Sequence, residues 1–380
     1  MMEAPKPDTR PLVIFAGKFG GLLNVKYLFL EAAAHDWGFQ PLFLAESRAQ
    51  FRMLHEAALP VVSPDGRVPD DAALYVIEDF PHKTAFREHP LPHERTLQLW
   101  HGVPLKKIGF PEIASGINMT PDKAAYLAAN YSGYAAVPST SPWVTENLFS
   151  LVFKAGDFPV TGFPRNDVLT RPSRKTDMLE TDQVMYARLA RHKKKGGKAV
   201  VYMPTFRDTG GDFISDGVLD IPALDEFCRR RDILFIAKFH PNLQIEGLGR
   251  ENGFMVYPSQ KDIYPLLPFA DALITDYSSI YIDYMLVDRP LIFFAYDKEK
   301  YLSKDRELFC RYEDATPGRH AATQTELLGA LADAASGEDP HAQARRALRD
   351  RLFTHRDAGS SARLCAYIRD TLLPALQTRK

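Results

Sequence analysis

Cysteine is scarce in this chain: Cys228, Cys310 and Cys365 are the three in 380 residues, and none lies at C-x-x-C spacing. That excludes a disulfide framework and a thiolate zinc site, and it suits a reducing cytoplasm. Long apolar runs are also missing. None approaches the roughly 18 residues needed to span a bilayer, and the polar segment Met1 to Arg10 lacks a signal-peptide core. The protein is therefore expected in the cytoplasm, with peripheral attachment to the inner face of the membrane left open. Charge of one sign is absent too: 47 Lys and Arg stand against 48 Asp and Glu, for a formal net charge of -1. No global attraction to nucleic acid follows, so any preference for anions must be local. The chain contains no G-x-G-x-x-G fingerprint, no internal repeat of solenoid length and no D-x-D pair. The last absence removes the obvious candidate for a divalent-metal clamp, and neither metal nor cofactor is expected.

What is present is the composition of a globular protein, 45% hydrophobic and 25% charged, at a length that suits two domains. Short apolar runs alternate with helical stretches, which predicts parallel βαβ construction. In the first half, strands are expected at Leu12–Ala16, Pro41–Ala45, Leu74–Ile77, Thr96–Trp100, Ala135–Pro138 and Phe158–Gly162, with helices over Asn24–His35 and Ser47–Ala58. The pattern lapses near residues 165 to 185. It restarts with Lys198–Met203, Leu234–Lys238, Phe254–Tyr257, Ala272–Ile274 and Leu291–Phe294. The fold class is α/β, and the expected domains are 1–170, 171–350 and a C-terminal helix, 351–380, that packs back toward the first. The basic run His192-Lys193-Lys194-Lys195 reads as a solvated loop, with weak attraction to an anionic membrane as the sharper alternative.

Parallel strands joined by helices deliver their carboxyl ends to one edge of a sheet, where open α/β folds bind ligands. In the second half three such ends carry polar turns: Thr205 with Arg207, Lys238 with His240, and Thr275-Asp276-Tyr277-Ser278-Ser279 before a helix predicted over Ser278–Val287. An ordinary helix cap by Asp276 or Ser278 explains the last of these alone. Three together offer cations, hydroxyls and a helix N-terminus, a set suited to a pyrophosphate. In the first half, Gly17-Lys18-Phe19-Gly20-Gly21 turns a strand into a helix, and His101 stands at a strand end with Lys106 and Lys107 close behind.

The stretches Leu99–Phe110 (L-W-H-G-V-P-L-K-K-I-G-F), Gly162–Asp167 (G-F-P-R-N-D), Tyr202–Asp208 (Y-M-P-T-F-R-D), Lys238–Pro241 (K-F-H-P) and Leu273–Asp297 together resemble the CDP-glycerol glycerophosphotransferase family of teichoic-acid and capsule enzymes. The match runs from about Leu99 to Tyr301, and Phe19 to Tyr27 loosely resembles the family's acceptor domain. The resemblance implies a GT-B-like fold, two Rossmann-like domains facing across a cleft. It also implies transfer of glycerol phosphate from CDP-glycerol to a lipid-linked saccharide or polyol-phosphate acceptor, with release of CMP. Matched motif by motif, it puts the catalytic pair at His101 and His240 and the donor site at Thr205, Arg207, Lys238, Asp276, Ser278 and Ser279. The acceptor side takes Gly20, Asn24, Lys106 and Arg165. Val103 stands where the family commonly has threonine, which removes a hydroxyl beside the expected base. Asp276 is expected to orient a histidine or cap the helix. Rival readings are a ribitol-phosphate transferase of the same family, a GT-B nucleotide-sugar transferase, and a non-enzymatic anion-binding scaffold.

Overall fold

The computed structural model of the chain describes residues 9–21, 23–69, 71–87, 91–116, 118–205, 207, 217–239, 253–304 and 307–378. Two parallel sheets organise it. The first has the strand order β3-β2-β1-β4-β5, formed by Leu12–Ala16 (β1), Gln40–Leu44 (β2), Val61–Val62 (β3), Leu74–Ile77 (β4) and Thr96–Gln98 (β5). The second has the order β11-β10-β9-β6-β7-β8, formed by Lys198–Tyr202 (β6), Ile233–Ala237 (β7), Phe254–Val256 (β8), Ala272–Thr275 (β9), Leu291–Phe294 (β10) and Arg319–Ala321 (β11). Every pairing between these strands is parallel. The central strands β7, β9 and β10 are buried along their whole length, which is why they read as unbroken apolar runs rather than alternating ones.

Three expectations need correction. Residues 135–138 and 158–162 are not strands; they make only isolated bridges, Leu97 with Ala136 and Ser139 with Val160. The helix after the Thr275–Ser279 turn spans Ile280–Tyr284 rather than 278–287. Pro290 disfavours a helical Arg289, and Asp288 turns to a left-handed φ of 55°, so the chain leaves the helix early. The basic run is not a solvated loop: Gln183–Lys194 is a helix, and Arg191 to Lys194 form its last turn, where cations meet the negative end of the helix dipole. Lys193 is tied to Asp271 at 2.5 Å.

The end of the chain returns to the first sheet. Leu364, Cys365, Ile368, Leu372 and Leu376 share one hydrophobic cluster with Phe15, Phe29 and Phe43 of the N-terminal half. The helix Ser360–Tyr367 has no cap of its own. Asp167 supplies one from outside, its two carboxylate oxygens accepting from the N–H groups of Ser360 and Ser361 at 2.8 and 2.9 Å.

The two sheets are joined by contacts of graded burial. Deepest is Lys26, on the helix Asn24–Ala34 (α1). Its Nζ donates to Asp262 Oδ2 at 2.6 Å and to the carbonyls of Asp177 and Leu179 at 2.7 Å, and both charged side chains are 0% exposed. Beside it, a Cβ on Gly20 would stand 1.6 Å from the carbonyl oxygen of Gln260, so glycine is required there by close backbone approach. At the outer rim Leu105 and Lys107 pair with Phe309 and Glu307 through backbone hydrogen bonds of 3.0 and 2.8 Å, and the Lys107 ammonium also meets the Glu307 carboxylate.

Candidate functional site

His101 sits at the carboxyl edge of the first sheet because β5 ends in an abrupt turn. Trp100 has a φ of 52° and Gly102 a φ of 122°, the latter open essentially to glycine alone. Asn24 holds this turn, donating from Nδ2 to the Trp100 carbonyl at 2.8 Å, while its Oδ1 accepts from the backbone N–H of Arg165 at 3.2 Å. The His101 ring lies against Trp100 with centroids 4.0 Å apart, and its Nδ1 is buried without a hydrogen-bond partner among the described residues. Burial, reinforced by Arg165 and Lys83, pushes the imidazole down to about 3, so it is neutral at pH 7. Val103 lies in the main hydrophobic core.

Arg165 reaches across the cleft and adds a further link between the halves. Its Nε and Nη2 bind Asp283 Oδ2 at 2.9 and 2.6 Å, and the Tyr264 hydroxyl donates to the same oxygen at 2.7 Å. A Cβ at Gly102 would lie 2.6 Å from Arg165 Nη2 and 3.8 Å from Ser279 Oγ. Three predicted residues, His101, Arg165 and Ser279, therefore converge around Gly102. Ser278 and Ser279 are half-buried, and neither side chain caps the short helix that follows.

Other predicted residues are present at the edge with different partners. Arg207 is turned inward: its Nε and Nη2 bind Asp297 at 2.7 and 3.0 Å and its Nη1 binds Asp276 at 2.8 Å, with Tyr277, Tyr296 and Tyr301 packed around the guanidinium. Burial alone would lower its pKa, but the two carboxylates raise it further, so the charge is permanent and largely neutralised. Asp276 neither caps the helix nor holds a histidine among the described residues. It accepts from the N–H groups of Thr205 and Tyr277 and from Arg207, and so fixes the Thr205 turn onto the Thr275–Ser279 turn. Thr205 Oγ1 is left buried with no partner among the described residues. Lys238 donates to the carbonyls of Ser259 and Lys261 at 2.6 and 2.7 Å; burial lowers it to about 8 against the opposing pull of Asp262. Lys106 lies over the Tyr301 ring at 5.2 Å, bridging the rim rather than lining the histidine turn. Gly20 and Asn24 serve backbone packing and turn geometry. His240 lies outside the described residues.

Asp283, Tyr264 and Asp297 were missed from the sequence. Asp283 falls one helical turn after Ser279, and Asp297 lies in the turn that follows β10, so periodicity and the strand-end rule could have found both. Among the described residues, no group of three or more His, Cys, Asp or Glu is placed to hold a metal ion, and no helix is long and apolar enough to cross a membrane.

Comparison with known proteins brings three kinds of match. A family model described as CDP-glycerol:poly(glycerophosphate) glycerophosphotransferase matches residues 11–370. The teichoic acid glycerol-phosphate transferase of Staphylococcus aureus is 29% identical over 288 residues, covering 73% of this chain and 72% of that protein. The teichoic acid ribitol-phosphate primase of Bacillus spizizenii is 29% identical over 279 residues, covering 72% and 68%. Among solved structures, the wall teichoic acid polymerase TagF superposes with a TM-score of 0.67 at 21% identity, covering 97% of this chain and 90% of that one. This last likeness concerns the fold, two facing parallel sheets of GT-B type.

Proposed function

This chain belongs to the CDP-glycerol:poly(glycerophosphate) glycerophosphotransferase family, and on that premise we propose that it transfers glycerol phosphate from CDP-glycerol to a hydroxyl of a lipid-linked glycan or polyol-phosphate acceptor, in teichoic-acid-like or capsule synthesis. The observation that carries the reading is the convergence of His101, Arg165 and Ser279 around Gly102, from opposite sides of the cleft. The acceptor oxygen attacks the phosphorus that bears glycerol, in line with the bridging oxygen to CMP. One P–O bond forms as the other breaks, CMP leaves, and the hydroxyl proton passes to His101. His101 is neutral before the donor arrives and can accept that proton. Burial is the main cause of its low basicity; the smaller part owed to the field of Arg165 is opposed by an incoming pyrophosphate, which raises the basicity of His101 by that part. Ser278, Ser279 and the unpartnered hydroxyl of Thr205 bind donor oxygens. Asp276 and Arg207 hold those turns together, and Arg165 stabilises charge at the reacting phosphoryl group. Assignment of the departing phosphate to His240 rests on the resemblance alone.

The test is CMP release from CDP-glycerol and CDP-ribitol against synthetic lipid-linked acceptors, with products sized by mass spectrometry. His101→Ala is expected to lower kcat by about 10²–10⁴ while calorimetric donor binding persists; undiminished turnover removes the assignment. A ribitol-phosphate reading has one specific observation in its favour, since the ribitol-phosphate primase matches as well, at 29%, as the glycerol-phosphate transferase. The donor panel separates the two. Attachment at the cytoplasmic membrane face is part of the same proposal, drawn from a lipid-linked acceptor, and vesicle co-sedimentation tests it.

A further inference from the structure

Helix α1 begins without a cap of its own. Leu23, the residue before it, has a left-handed φ of 79° and offers no side-chain acceptor to the first helical N–H groups. The acceptor comes from across the sheet. Glu78 directly follows β4, the neighbour of β5, and so stands on the same carboxyl edge as His101. Its Oε2 accepts from the N–H of Val25 at 2.9 Å, and the side chain is almost fully buried. The slot it fills exists because residue 17 is glycine. A Cβ there would lie 2.5 Å from Val25 Cγ1 and 3.1 Å from Glu78 Oε1. That second oxygen makes no hydrogen bond among the described residues, a cost set against the bond that the first oxygen makes to the helix start. Asn24, the first residue of the helix, is the one that grips the Trp100 carbonyl and the Arg165 N–H.

We propose that Glu78 is a positioning residue for His101: its carboxyl fixes the first turn of α1, and that turn, through Asn24, fixes the backbone on either side of the histidine site. The inference rests on the proposed role of His101. Its electrostatics follow from its surroundings. Burial is the largest influence and drives Glu78 up to about 8; the N–H groups of Val25 and Leu23 and the charge of Arg165 pull it down, and Asp79 pushes it up. Lys26, the charge next along α1, is committed to Asp262, Lys18 beyond Gly17 is exposed, and His101 on the β5 turn is uncharged at neutral pH. Glu78 therefore acts as a neutral carboxyl at pH 7. Ionisation as pH rises through about 8 places a charge in a buried site, where Arg165 and the N–H groups of the helix start offset only part of the desolvation cost.

The experiment uses the full chain with Glu78→Gln, Glu78→Ala, Asn24→Ala and the Glu78→Ala/Asn24→Ala double variant. It follows CMP release from about pH 6 to 10, and the His101 imidazole resonances by NMR without donor. Expected are a kcat at least about tenfold lower in Glu78→Ala with KM for the donor within about twofold, a displaced His101 resonance, near-normal Glu78→Gln that lacks the alkaline fall, and a double variant no worse than the worse single. Wild-type kcat and resonance in Glu78→Ala overturn the proposal, as does a Glu78→Gln variant as impaired as Glu78→Ala. Should Glu78→Ala not fold, Glu78→Gln and Asn24→Ala carry the same comparison. If His101→Ala turns over normally, the role given to His101 in the proposed function fails; the resonance in Glu78→Ala still reads positioning.

Discussion

Replacing Lys26 by methionine isolates the deepest contact between the two sheets. The substitution keeps an unbranched side chain of similar length and removes the ammonium that donates to Asp262 and to the carbonyls of Asp177 and Leu179. Asp262 keeps the Tyr27 hydroxyl at 2.6 Å and the Tyr264 N–H at 2.8 Å but loses its direct ion-pair partner, leaving Lys238 as a cation that acts on it without a salt bridge among the described residues. Breaking a buried pair by deleting one partner costs about 3–5 kcal/mol, because the other charge stays behind in low dielectric. With about 2.1 cal/mol/K of unfolding entropy per residue, a 380-residue chain has about 0.8 kcal/mol/K, so a loss of 4 kcal/mol lowers a cooperative melting midpoint by about 5 °C. Urea unfolding at fixed protein concentration measures the free energy directly through the shift in midpoint at constant slope. Adding Asp262→Asn to Lys26→Met removes the orphaned charge and should recover about 1–2 kcal/mol of the loss. A single-variant loss below about 1 kcal/mol, or a double variant whose losses simply add, would refute the assignment of this pair as a buried lock between the halves.

Four further outcomes are expected. Ser279→Ala should weaken donor binding by about 0.5–1.5 kcal/mol, the net worth of one hydrogen bond, read by calorimetry, with kcat little changed. Asp283→Ala leaves the Arg165 guanidinium buried without its carboxylate and should lower both stability and kcat, whereas Asp283→Asn keeps an acceptor and should lose less; equal effects in the two would count against an electrostatic role. Asp167→Ala removes the cap of the helix Ser360–Tyr367 and should cost about 0.5–2 kcal/mol, seen as a lower melting midpoint and faster proteolysis of the C-terminal segment. Glu78 also sets a pH dependence of stability. Its carboxyl binds a proton in the folded protein up to about 8, while the unfolded chain releases it near about 4.3. Unfolding therefore releases a proton between those values, and this group's contribution to stability declines as pH rises through the window. Glu78→Gln should flatten that decline in denaturation measured at a series of pH values.

Much of the architecture was legible from local chemistry. β1, β4 and β10 were read to the residue, and β6, β7 and β9 within one or two, because a strand covered on both faces must be an unbroken apolar run and the turns beside it must break. Segments 135–138 and 158–162 are partly apolar but make one bridge each, and each carries a proline that cannot donate to a ladder. The short helix after Ser279 was overread because the apolar pattern continues past the point where Pro290 and the left-handed Asp288 end it.

By itself the sequence determined that His101, Thr205, Lys238 and the Asp276–Ser279 turn end strands on shared sheet edges, since parallel βαβ construction leaves little choice. Residue type could not say which charged groups there remain open to a substrate. That was decided by partners distant in sequence: Asp297 and Asp276 engage Arg207, the Ser259 and Lys261 carbonyls take Lys238, and Asp283 holds Arg165 beside Gly102. The same holds for Glu78, whose meaning comes from an uncapped helix start 53 residues earlier in the chain. A buried charge takes its state from whatever surrounds it, and those surroundings are assembled only when the two sheets meet.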